Sequence, residues 1–136
     1  MRLLCGLLLA VVALAQSPEY QGVASSKQLM KAVQKPAMDG LAAMMKAGGP
    51  KDDQEWEAAQ QNAAVLAETA QLLLMGTRPL DQDVWVKSSH RLQEASMQAA
   101  KAAEAKDSAA WKTAVTSMGA ACRSCHTVHK KKPAAN

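Results

Sequence analysis

Phenylalanine is absent from this chain, tyrosine occurs once, and no apolar alternation of the kind a strand needs persists anywhere. The body is dominated instead by Ala, Lys, Gln, Glu, Met and Leu, good helix formers that point to an all-α protein. A strong excess of one charge is lacking too. With 16 basic and 12 acidic residues the chain carries a formal +4, too mild for the dense basic face that nucleic acid requires. Long apolar runs are also missing. The longest, Leu3 to Leu14, is about a dozen residues, whereas a membrane span takes roughly 20. It follows Arg2 and leads to Ala13-Leu14-Ala15, the layout of a secretory signal peptide. Residues 1–15 are therefore expected to be removed, leaving 16–136 as one domain exported to the periplasm, with no membrane insertion after cleavage.

Cysteine is scarce as well. Of three, Cys5 leaves with the signal, and Arg2 goes with it, lowering the formal charge from +4 to +3. Cys122 and Cys125 remain. An oxidising compartment tends to pair thiols, yet a disulfide here closes too short a loop to constrain much chain. Those two thiols point to another use.

Punctuation divides the rest into four helices. The first is expected from Ser25 to about Ala47, stopped by Gly48-Gly49-Pro50, with Pro36 kinking or splitting it near Lys35. The second opens on Asp52-Asp53-Gln54-Glu55, a capping-box pattern, and runs to Met75-Gly76. Its Trp56, Ala59, Ala63, Leu66, Ala70 and Leu73 fall on one face. The third is expected from about Asp83 to Ala105, with Trp85, Leu92 and Ala99 as its stripe. The fourth starts at Asp107, a plausible N-cap, and its stripe is Trp111, Val115, Met118, Cys122, Cys125 and His129. Short connections favour an antiparallel, up-down-up-down four-helix bundle. The final "KKKPAAN" reads as a solvated, frayed tail.

On the fourth helix, positions 122, 125 and 126 are i, i+3 and i+4, so the three side chains leave one face. Two thiols and an imidazole so placed match Cys-x-x-Cys-His, the c-type haem attachment pattern. The thiols can add to the two vinyl groups of one porphyrin edge while His126 offers its ring to the iron. A thioredoxin-like pair needs a βαβ context that is missing here. A zinc site from Cys122, Cys125 and His126 or His129 has suitable ligand types but draws them all from one helix. In an up-down-up-down bundle, His126 lies roughly 27 Å along its helix. The first helix presents Met30 at that level, the second Met75 and the third Trp85, while Met38 lies about 12 Å beyond Met30. Two methionines thus stand as candidates for the far side of the iron.

A four-helix chain with Cys-x-x-Cys-His near its C-terminus resembles the class II cytochromes c, the cytochrome c′ family. The likeness runs from "QLMKAVQKPAMDGLAAM" through "DDQEWEAAQQNAAVLAETAQLLL" to "AWKTAVTSMGAACRSCH". The haem motif is its specific part and the remainder matches by pattern. The resemblance implies one covalent haem c at the bundle end, held by Cys122 and Cys125, with His126 as proximal iron ligand. It also implies a distal residue from the early first helix. A methionine there marks the low-spin members, which makes Met30 the implied sixth ligand. Members with a non-coordinating side chain there have an open site. The chain departs from the family where an aromatic and an arginine usually follow the proximal histidine, at His129 and Lys130. Family members often pair through their first two helices, which leaves a homodimer open.

His/Met ligation saturates the iron and raises its potential, which suits one-electron transfer rather than catalysis. An open iron would instead bind nitric oxide or carbon monoxide. A third alternative is a haem-free helical zinc-binding or interaction module. The expected haem end carries Lys27, Lys31, Lys35, Arg78, Lys87, Arg91, Arg123 and Lys130 to Lys132, chiefly against Asp81, Asp83 and Glu94. Such a rim steers a redox partner with an acidic docking face. No nucleophile or acid–base constellation suggests an enzyme, and His90 reads as an exposed residue.

Overall fold

The computed structural model describes residues 20–130, all-helical with no strand among them. The expected signal peptide, residues 1–15 with Cys5, and the tail with Lys131 and Lys132 lie outside the described residues. Helices α1 (Ser26–Leu29) and α2 (Lys35–Lys46) are joined by a π turn (Met30–Gln34) into one uninterrupted first rod. Three longer helices follow: α3 (Asp53–Leu72), α4 (Val84–Glu104) and α5 (Ser108–His129).

Side chains close each helix start. Ser25 and Gln28 form a complete capping box, Ser25 Oγ accepting from Gln28 N and Gln28 Oε1 accepting from Ser25 N. Asp52 caps α3 through Glu55 N at 2.8 Å, but the reciprocal arm differs from the expected box. Glu55 Oε2 takes the N–H of Lys51 instead. Asp107 caps α5 through Ala110 N. At α4 the flanking Asp83 makes no side-chain cap; Asp81 supplies it, accepting from Asp83 N and Trp85 N.

Pro36 neither splits nor ends the first helix. Proline cannot donate, and its ring crowds the carbonyl four residues back. The chain answers with the wider π turn just ahead of it, where Lys35 N–H reaches back to Met30 O. One extra residue in that turn rotates the upstream face. Leu29 and Met30 turn toward the interior while Lys27 and Lys31 stay exposed.

The main core is alanine-rich, with Ala59, Ala63, Ala70, Ala99 and Ala114 packed around Leu41, Leu66, Trp111 and Met118. Specific pairs set the register. Lys106 meets Asp53 at 2.7 Å, Gln93 donates to Gln71, and Trp85 Nε1 donates to Leu73 O at 2.9 Å. Trp56 and Trp111 meet edge to face at 6.1 Å. Met38 lies near Gly119, and Lys112 near Gly49. A second, smaller cluster of Leu73, Trp85 and Cys125, with Leu29, Met30 and Val86 against it, lies where the thiols do. No helix among the described residues is long and apolar enough to cross a membrane.

Candidate functional site

Cys122, Cys125 and His126 stand on the last two turns of α5, and the first rod brings Met30 to them. All four line one crevice, together with Gln34, Leu73, Ser88, Ser89, Leu92 and Ala121. Met75, the other methionine at this level, does not line it. The sulfur and imidazole groups that the sequence singles out therefore converge from two chain segments far apart in sequence.

Their environments differ. Cys125 is 8% exposed and sits in the small cluster with Leu73 and Trp85, whereas Cys122 is half-buried but packs against the main core. Both thiols are free. Burial pushes the Cys122 thiol above its ordinary value, with the Arg123 guanidinium opposing. Burial also raises Cys125, helped by the negative charge of Asp81. Both therefore stay protonated at neutral pH, unlike the low-pKa thiolates of redox-active pairs. His126 lines the crevice yet is exposed on its outer side. Desolvation, then the charge of Lys130, lowers its pKa, keeping the imidazole neutral and able to donate a lone pair to a metal.

His129 belongs to a neighbouring clasp and is not among the residues lining the crevice. Its Nε2 lies 2.6 Å from Asp81 Oδ2, an ion-pair distance without hydrogen-bond alignment. Its ring meets Trp85 edge to face at 5.5 Å. The Asp81 carboxyl is held below the usual carboxylate range, first by the N–H of Trp85 against opposing desolvation, with the Asp83 N–H and His129 adding to it.

The charged rim needs one correction. Arg78 is 9% exposed and is no part of an outer surface. Its Nη1 donates to Tyr20 Oη and Leu72 O, and its Nη2 to Ala24 O, so it ties the segment before α1 to the end of α3. Lys35 pairs with Asp39 on its own helix, and Lys87 with Asp83, the residue just before α4. Among the described residues, Lys27, Lys31, Arg91, Arg123 and Lys130 are exposed and form no ion pair.

The donor set fits a covalently attached haem in kind: two neutral thiols, a neutral imidazole and a thioether facing one space. The space itself is narrow, about 20 Å³, whereas small-molecule sites run to about 300–1,000 Å³. A porphyrin requires this crevice to widen. Among the described residues no group of three or more His, Cys, Asp or Glu side chains is placed to hold a metal ion, which gives the zinc alternative no preformed site. Gln34 was invisible to motif reading. Its signal was a polar residue three positions before Ala37 and seven before Leu41, on the buried stripe of the first rod. Comparison with family models, curated proteins and solved structures finds no match.

Proposed function

We propose that this chain is an exported, periplasmic c-type monohaem protein acting in one-electron transfer, resembling the cytochrome c′ family. The observation that carries the reading is the convergence of Met30, from the first rod, on Cys122, Cys125 and His126. The overall arrangement we infer is an antiparallel up-down-up-down bundle with the haem site at the end of α5. In its support, paired residue numbers run in opposite directions: 53 with 106 and 73 with 85 between α3 and α4, then 85 with 129 from α4 to α5.

Haem, when bound, supplies the one-electron couple. Cys122 and Cys125 would hold it by thioether bonds, and the His126 nitrogen and Met30 sulfur would ligate its iron, a pairing that raises the potential. Trp85, Leu73 and Leu29 keep water from that end of the core. The exposed cations Lys27, Lys31, Arg91, Arg123 and Lys130 speed encounter with a redox partner bearing an acidic face. The function is not enzymatic in this reading.

A second reading, an open iron that binds nitric oxide or carbon monoxide, is favoured by a specific observation: a buried amide donor, Gln34, lines the crevice on the Met30 side. The absorption spectrum of protein produced with haem-attachment machinery separates these readings. A sharp reduced α band unmoved by carbon monoxide supports His126/Met30 ligation. A broad spectrum that shifts with carbon monoxide supports the open iron, and a colourless protein leaves the haem-free module.

A further inference from the structure

Gln34 is 8% exposed, lines the crevice, and its Nε2 is enclosed without a hydrogen-bond partner among the described residues. An unpartnered buried donor is destabilising, and leucine or methionine would fill the same helical position without that penalty. Around it the lining is mostly apolar, with Met30, Leu73 and Leu92, and holds few polar groups. Ser88 and Ser89, each 3% exposed, close the crevice from α4. No lysine or arginine lines it. A buried carboxylate needs a paired cation, so this lining suits a neutral acceptor and not a porphyrin carboxylate. Gln34 also lies one turn beyond Met30 on the same rod, whereas the thiols and His126 come from α5. The donor therefore belongs to the distal wall.

We propose that Gln34 is a specificity-determining residue of the crevice, donating its amide N–H to a small neutral diatomic ligand of the carbon monoxide or nitric oxide class bound on the Met30 side. This rests on the haem reading and deepens its gas-binding form. A single hydrogen bond of this kind slows ligand loss by about three- to tenfold. It also withdraws electron density toward the ligand, lowering the C–O stretching frequency.

The test uses the haem-loaded protein with carbon monoxide as probe. Wild type and Gln34→Leu are compared, each also on a Met30→Ala background so that the thioether cannot mask the site. Gln34→Leu is expected to raise the C–O stretching frequency and to speed carbon monoxide release by about three- to tenfold. In the haem-free chain the same substitution is expected to raise the urea midpoint, because the orphaned amide is gone. Retention of both the stretching frequency and the release rate in the Met30→Ala pair overturns the Gln34 assignment and leaves the haem reading standing. A lowered urea midpoint overturns the assignment too, by making the amide a packing residue already satisfied without a ligand. A colourless wild type overturns both.

Discussion

Replacing Trp85 by phenylalanine and, separately, Trp111 by phenylalanine makes the same chemical change in two buried rings, and the structure assigns the polar part opposite signs. Trp85 Nε1 donates to Leu73 O at 2.9 Å, one of the carbonyls that the end of α3 leaves open. Trp85→Phe strands that carbonyl, a loss of about 1–3 kcal/mol. Trp111 Nε1 is buried with no partner, so Trp111→Phe removes a penalty of about the same size. The two rings are 4% and 0% exposed, so the packing lost on truncation is nearly common to both and cancels in the comparison. Trp85→Phe should therefore be the more destabilising by about 2–6 kcal/mol. At ~4 °C per kcal/mol for a domain of this size, its thermal midpoint should lie about 8–24 °C below that of Trp111→Phe. Far-ultraviolet circular dichroism melts of the two variants, matched in haem content, read the difference directly. Equal midpoints, or a lower midpoint for Trp111→Phe, would falsify the assignment of these indole N–H groups.

Met30→Leu in the haem-loaded protein is expected to abolish the low-spin spectrum while leaving haem covalently attached; an unchanged spectrum removes Met30 as a ligand. Arg78→Met is expected to release the segment before α1 from the end of α3. That should lower stability by about 2–4 kcal/mol for the loss of charged hydrogen bonds, read as new proteolytic cleavage near Tyr20 and an earlier urea transition. Asp81 has a depressed folded pKa, so its contribution is present above about pH 4, the ordinary carboxylate value, and fades as pH falls through the lower folded value. Asp81→Asn should therefore narrow the gap in stability between pH 7 and pH 3. Parallel pH–stability curves for wild type and Asp81→Asn would count against it.

The helices and their buried faces were legible because each signal was local. Asp52 and Asp107 announce helix starts by side-chain chemistry, Gly48-Gly49-Pro50 announces a stop, and the Trp56-to-Leu73 stripe repeats at helical spacing. The candidate site was legible in part for the same reason, since Cys122, Cys125 and His126 are neighbours on one helix. What sequence could not show depended on how the rods meet. Pro36 forbids a regular helix but does not say whether the chain breaks or takes on an extra residue; the packing of Leu29 and Met30 accompanies the second outcome. Arg78 reads as one more surface cation until the backbone carbonyls of Leu72 and Ala24 gather around it. Asp81 and His129 lie far apart in the chain, and only the fold makes them a pair.

The alanine-lined core has a mechanical consequence. Small side chains let helix backbones approach closely, and α4 packs extensively on both α3 and α5 along seams rich in alanine. The first rod touches α5 only sparsely, and at the crevice it presents the side chains of Met30 and Gln34. The molecule is thus a three-ply laminate with the first rod fastened to α3 along one side, Ala37 and Leu41 sunk into the core. On the haem reading, the widening that a porphyrin requires beside Cys125 falls to that sparse seam, while the alanine seams stay closed.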